Sequence, residues 1–283
     1  MSAITACVDA IKTECLPTAE DVAFYAKNGY WTSPKIFSDA ELAELREHQD
    51  RVYSGVHETG RQPHGGGWKF NSKRPLEIRK TDNAHWADMT IRKAVLNATV
   101  GAIAARLHAV DTVRLWHDQL LFKPNGGEKT GNVGWHQDFG YWRACQKPDL
   151  TTATLALVDL TNDNGCLEVV PGSHARGLLN ASDFFNQDMD GLKERIEAES
   201  GRKMETVPML MKAGQVGFHH CLTIHGSGAN RTDAPRRTIA VHLMCGTVTR
   251  NINGKHMNTE IVELKDGEPF IGEKFPVLYE QKP

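Results

Sequence analysis

Along the first 110 residues the apolar positions recur at the three-to-four-residue spacing of amphipathic helices. Thr18-Ala19-Glu20-Asp21 offers a helix start and Asn28-Gly29 a stop. Ser38-Asp39-Ala40-Glu41 is a capping-box pattern, with Leu42 and Leu45 three apart on the helix that follows. Ile91, Val95, Ala98, Ala102 and Ile103 fall on one face, which predicts a helix over 90–108. Between these, residues 54–88 read as a long loop around His64-Gly65-Gly66-Gly67, and such a loop in a compact domain points to function.

From residue 111 the pattern turns to short apolar strands at 112–116, 120–122, 152–160, 166–170, 215–218 and 238–244. Turn signals separate them: Pro124-Asn125-Gly126-Gly127, Asn162-Asp163-Asn164-Gly165, Pro171-Gly172-Ser173 and Gly226–Asn230. This predicts a mainly β protein, an antiparallel barrel or jelly roll with helices packed outside. Residues 182–200 interrupt the strands and read as helix, with Leu192 and Ile196 four apart, a natural lid. We read one domain over 1–283, with a helical part to about 110, a β core over 111–246 and a C-terminal extension over 247–283.

Charge removes two function classes. Lys and Arg total 33 against 35 Asp and Glu, a net charge of −2. A nucleic-acid binder needs a basic excess or stripe. The nearest approach, Lys73, Arg74, Arg79 and Lys80, is broken by Pro75, Glu77 and Asp82. No apolar run approaches the ~18 residues of a membrane span, and the N-terminus lacks a signal-peptide pattern. Cys7, Cys15, Cys145, Cys166, Cys221 and Cys245 are scattered without a CxxC pair, which predicts reduced thiols in a cytoplasmic protein.

The first pointed chemistry is His136-Gln137-Asp138. In a strand, residues i and i+2 share a face, so His136 and Asp138 can meet one ion. A further imidazole completes a two-His-one-carboxylate facial set, which leaves positions open on iron(II). His174, His219, His220, His225, His242 and His256 are candidates. His225 opens His225-Gly226-Ser227-Gly228-Ala229-Asn230 after an apolar run, and Arg236 stands eleven residues on. A fixed guanidinium takes a carboxylate bidentately, which suits the distal end of a 2-oxo acid.

His136-Gln137-Asp138, Asn164-Gly165-Cys166-Leu167 with Pro171-Gly172-Ser173-His174, and His225-Gly226-Ser227-Gly228-Ala229-Asn230 with Arg236 together resemble the phytanoyl-CoA dioxygenase family over roughly residues 20–245. The resemblance implies a double-stranded β-helix (jelly roll, cupin-like) with N-terminal and flanking helices. It implies Fe(II) on His136, Asp138 and His225, with 2-oxoglutarate and O₂ as co-substrates. Arg236 and Ser227 would hold the distal carboxylate of 2-oxoglutarate, with Gln119, Gln137 and Lys80 beside it. The family's phytanoyl enzymes carry a tryptophan near position 154, where this chain has Thr154, and that departure touches substrate identity.

Other residues read more plainly. His174 reads as a hydrogen-bonder in a turn, and His219 and His220 as core or rim residues without a metal partner. His117 reads as a core residue or as an orienter of a ligand, and Arg237 replaces Arg236 if the register slips. Phe139, Tyr141 and Trp142 fit a substrate wall or the core equally; Trp68, Phe70 and Trp86 are the loop's pocket candidates. The implied reaction is hydroxylation of an unactivated C–H bond in a small or medium-sized metabolite reached between 64–72 and 182–200. An acyl-CoA substrate, or desaturation, ring formation or epoxidation by the same oxidant, are the alternatives. Halogenation is disfavoured by Asp138, and a zinc hydrolase or non-catalytic metal-binding jelly roll by Arg236, which neither needs.

Overall fold

Both capping boxes close as their residues predict. Thr18 accepts from the Asp21 amide while the Asp21 carboxylate accepts from the Thr18 amide, and α1 (Ala19–Asn28) follows, ending where Gly29 takes φ +77°. Ser38 and Glu41 make the same reciprocal bonds ahead of α2 (Asp39–Tyr53). The computed structural model describes residues 10–69, 76–126, 131–260 and 262–281.

The single helix expected over 90–108 is two, α3 (Met89–Val95) and α4 (Ala98–His108). Asn97 ends the first run and caps the second, its side chain accepting the Val100 amide at 3.2 Å. Asn competes with the helical backbone in this way, so it favours caps over interiors. The lid helix is shorter than expected, α5 (Met189–Ser200), with Leu192 and Ile196 buried. Residues 182–188 before it are irregular and carry Phe184 and Phe185.

The strands are β1 (Tyr30–Thr32), β2 (Arg79–Asp82), β3 (Thr112–Lys123), β4 (Val133–His136), β5 (Leu150–Ala156), β6 (Glu168–Val169), β7 (Val207–Pro208), β8 (Val216–His220), β9 (His225–Ser227), β10 (Arg236–Cys245) and β11 (Val277–Glu280). The two strands expected at 112–116 and 120–122 are one, β3, and the loop expected over 54–88 contains β2. The larger sheet runs β1-β8-β5-β10-β3, with β2 and β11 sharing the outer edge of β3; the smaller runs β4-β9-β6-β7. Every pairing is antiparallel.

The period of two along β10 divides the molecule. Ile239, Val241 and Leu243 join Leu115 of β3 and the apolar faces of α2, α3 and α4 in the main core, with Leu42, Leu45, Ile91 and Ile103. Arg236, Thr238, Ala240 and His242 occupy the opposite face of the same strand. The C-terminal extension caps one end of the larger sheet. Phe270 and Phe275 pack on Trp116 with ring centroids 5.1 and 5.8 Å away, and Asn258 donates to the Trp116 carbonyl. Among the described residues no helix is long and apolar enough to cross a membrane. The five described cysteines are free and buried.

Candidate metal centre and cavity

His136 ends β4 and His225 opens β9, and the two are direct partners across the smaller sheet. Asp138 lies just past the strand, at the head of the 3-10 turn Asp138–Gly140. His136 donates from Nδ1 to the Gly134 carbonyl at 2.8 Å, and His225 to the Thr223 carbonyl at 2.9 Å. A carbonyl only accepts, so each Nδ1 carries a proton, which leaves each Nε2 as the ring nitrogen that can ligate. Both Nε2 atoms face Asp138 Oδ1, at 3.5 and 3.6 Å.

Two imidazole nitrogens and a carboxylate oxygen converging on one point are the donor set that a divalent metal takes, so the residues fit a bound ion. The ligand atoms of His136, Asp138 and His225 all lie within 4.8 Å of one another, and all three residues are buried. Burial would raise the Asp138 carboxyl, but the imidazoles of His225, His136 and His219 outweigh it and hold it well below the usual carboxylate range. Burial pushes His225 well down, helped by His136 and His219, so its ring is neutral and able to ligate.

The other carboxylate oxygen is held from the larger sheet. Thr152 Oγ1 donates to Asp138 Oδ2 at 2.6 Å and His219 Nε2 donates to it at 3.1 Å. This corrects the reading of His219 as having nothing at ligand spacing. It touches the trio's carboxylate, and its ring lies 4.1 Å from that of His225. His220, on the opposite face of β8 as adjacent strand residues must be, stacks on His108 at 5.7 Å. His174 bonds the Ala26 carbonyl at 3.1 Å, a tie between turn and helix.

A second charged group lies along the inner face of β10. Arg236 pairs in register with Lys123 of β3. They are 4% and 1% exposed, and no carboxylate forms an ion pair with either among the described residues. Arg236 donates to the Gly165 carbonyl at 2.7 Å and leaves Nε unpartnered; burial pulls its pKa down to about 10. Lys123 donates to Ser227 Oγ at 2.7 Å and to the Gly228 carbonyl, and burial with Arg236's charge pushes it well down. Since Ser227 accepts from Lys123, its own O–H is free to donate. Arg237 faces away and pairs with Asp50 at 2.8 Å, so the register puts Arg236 inside.

A cavity of about 260 Å³ opens beside the trio, walled by Lys80, His117, Gln119, Tyr141, Trp142, Phe184, Phe185, His242 and His256 among others. Phe184 stands edge-on to His136 at 4.9 Å, and its amide donates to the Tyr141 hydroxyl at 2.8 Å. Lys80 is tied to Asp82 at 3.1 Å, and Gln119 to Asp82 at 2.9 Å. Gln137 is turned away, its amide bonded to the backbone of Gly177, Leu179 and Leu222. Phe139 joins the second core cluster. Trp68 packs against Tyr53 and Arg79, and Trp86 beneath Arg61, so neither walls the cavity; Phe70 lies outside the described residues.

Sequence reasoning missed Lys123, Thr152 and Phe184, and it named His219 and His242 only as candidate ligands. Alternation along β3 held a signal for Lys123, because it shares a face with Gln119. Thr152, His219 and His242 come together through strand pairing, whereas Phe184 reaches His136 from the irregular segment before α5.

Two imidazoles and one carboxylate within reach of one ion, with a buried guanidinium on the inner face of β10, are the side chains that a non-haem iron, 2-oxo-acid-dependent oxygenase needs. A family model described as phytanoyl-CoA dioxygenase (PhyH) matches residues 25–238. Peroxisomal phytanoyl-CoA dioxygenase of Homo sapiens is 32% identical over 242 residues, covering 80% of this chain and 68% of its own. A probable alpha-ketoglutarate-dependent hypophosphite dioxygenase of Stutzerimonas stutzeri is 25% identical, covering 79% and 77%. The solved structure of the non-haem alpha-ketoglutarate-dependent carbocyclase SnoK, from nogalamycin biosynthesis, superposes with TM-score 0.73 at 25% identity, covering 95% and 99%. The chain belongs to the phytanoyl-CoA dioxygenase family, and it is a non-haem iron, 2-oxoglutarate-dependent dioxygenase.

Proposed function

We propose that this enzyme hydroxylates an unactivated C–H bond of a small or medium-sized metabolite in the cavity beside His136, Asp138 and His225. The carrying observation is that trio, with both imidazole Nε2 atoms converging on one carboxylate oxygen. Iron(II), with 2-oxoglutarate and O₂, supplies the oxidising power when bound. His136 and His225 hold it through Nε2, each oriented by its Nδ1–H bond to a strand carbonyl. Asp138 offers Oδ1, because Thr152 and His219 occupy Oδ2.

Arg236 takes the distal carboxylate of 2-oxoglutarate, Ser227 donates to it, and Lys123 supplies a second positive charge. Gln119 and Lys80 face the same cavity as the metal trio and contact the co-substrate or substrate from β3 and β2. Phe184, Tyr141 and Trp142 keep water from the reacting carbon. From β3 to β10 successive strands alternate between the two sheets, except that β6 and β7 pair with each other, which supports a jelly roll built as one domain over the whole chain.

Access runs past Phe184 and Phe185, ahead of the lid helix, rather than past Trp68. The cavity's size favours a small molecule over a coenzyme A thioester. The test is iron-dependent succinate formation from 2-oxoglutarate across free metabolites and acyl-CoA thioesters. Coupled turnover with free metabolites is expected; coupled turnover with acyl-CoA alone overturns the small-molecule reading, and no iron-dependent succinate with any compound overturns the reaction.

A further inference from the structure

Beyond the trio, a row of polar side chains crosses the larger sheet. His117 of β3 is paired with His242 of β10, His242 with Thr152 of β5, and Thr152 with His219 of β8. Directly opposed residues share a face, so the row lies along the inner side of the sheet and ends on Asp138.

The direction of each bond in the row follows from the chemistry of its ends. An ionised carboxylate accepts and never donates, so Thr152 gives its one proton to Asp138 Oδ2, at 2.6 Å. Thr152 Oγ1 then has only lone pairs for His242 Nδ1, 2.8 Å away. His242 therefore carries its proton on Nδ1, and its Nε2 is a bare acceptor. That Nε2 is buried and has no hydrogen-bond partner, in a residue 4% exposed that walls the cavity. Burial keeps the ring neutral, its pKa pulled down to about 4.

The ring is also locked in place. It packs against His117 at 4.2 Å and Trp142 at 4.9 Å between centroids. Next along, His256 accepts the Asn258 amide on Nδ1 at 3.2 Å, so its Nε2 carries a proton and is a donor. One wall of the cavity thus offers an acceptor and a donor on neutral rings. Tyr141, Phe184 and Phe185 line the same cavity.

We propose that the substrate is an alcohol whose hydroxyl donates to His242 Nε2, with its apolar body against the aromatic rings that line the cavity. A hydroxyl matches this wall because it donates and accepts; an ether only accepts and leaves His242 Nε2 unsatisfied in a water-poor site. Thr152 is a positioning residue, acting by setting the His242 tautomer. The inference deepens the function proposed above and rests on it for the reaction, though not for binding.

Two measurements on the zinc-loaded protein need no turnover. Ring-nitrogen ¹⁵N NMR should find His242 protonated on Nδ1 and bare on Nε2. Thr152→Val should abolish that preference and Thr152→Ser restore it; a wild-type ring protonated on Nε2 overturns the proposal. Cyclohexanol and methoxycyclohexane then serve as a matched pair, read by ligand-observed NMR. The alcohol should bind about tenfold tighter, and His242→Phe should remove the difference. Equal affinities in the wild type, or a preference that survives in His242→Phe, overturn it. Neither outcome bears on iron-dependent succinate formation, so failure here is distinguishable from failure of the oxygenase reading.

Discussion

Replacing Arg236 by glutamine should separate co-substrate affinity from fold stability. Arg236 and Lys123 are cross-strand partners, 4% and 1% exposed, without an ion-paired carboxylate among the described residues. Two cations held as buried cross-strand neighbours repel one another, which is part of what pushes Lys123 well down. The distal carboxylate of 2-oxoglutarate would offset that repulsion. Truncating one side of a buried charge pair costs ~2–5 kcal/mol. That corresponds to 2-oxoglutarate binding weakened from ~30-fold to several thousand-fold, with the lower end expected because Lys123 and Ser227 remain.

The same substitution relieves the like-charge contact and loses the 2.7 Å bond to the Gly165 carbonyl. These effects oppose one another, so the ligand-free melting temperature should move little. Titration calorimetry of the metal-loaded protein with 2-oxoglutarate, beside a thermal melt without it, reads both. Arg237→Gln is the control: it breaks the 2.8 Å pair with Asp50 and should leave 2-oxoglutarate binding alone. Affinity within threefold of wild type in Arg236→Gln, or loss in Arg237→Gln instead, would refute the reasoning.

Three further outcomes are expected. Asp138→Ala and His225→Ala should each lose bound iron and turnover, read by metal analysis and succinate release; full iron content and activity in both would reject the trio. Gly165→Ala should destabilise the fold and weaken 2-oxoglutarate binding, because Gly165 has φ +69° and an added Cβ would lie 2.3 Å from the Gly228 carbonyl, beside the Arg236 anchor; an unchanged melt and affinity would count against that packing. His108 and His220 are pulled down to about 4 and about 3 by burial, whereas an unfolded chain titrates near ~6.5. Between those values the unfolded state binds protons the native state refuses, so stability should fall as pH drops from ~6.5 towards ~4; a flat melting temperature from pH 7 to 5 would contradict it.

Local chemistry was legible in the sequence wherever its partners lie a few residues apart. The capping boxes at Thr18 and Ser38 formed because each needs only a hydroxyl and a carboxylate three positions away. His136 and Asp138 were found as an i, i+2 pair, and His225 and Arg236 through the motifs around them. Spacing also carried errors of its own kind. Periodicity over 90–108 ran through Asn97, because an apolar stripe does not register a side chain that recaps the backbone. Strand β2 was hidden by its polarity, Arg79–Asp82 being stabilised by pairing with β3 rather than by an apolar run.

Tertiary structure decided what surrounds the trio. His219 reaches Asp138 across 81 residues of chain, Lys123 reaches Ser227 across 104 and Thr152 reaches His242 across 90. No local pattern encodes such contacts, since they depend on which strands pair and in which register. Phe184 comes over His136 because its amide bonds Tyr141, not because of any period in 182–200. The sequence by itself picked out the two imidazoles and the carboxylate that the fold brings within 4.8 Å of one another, and the guanidinium on the inner face of β10, because local spacing and motif order mark them. The sheets alone decided which lone pairs and charges were left without partners, because that depends on every neighbour the folded chain brings within hydrogen-bonding reach.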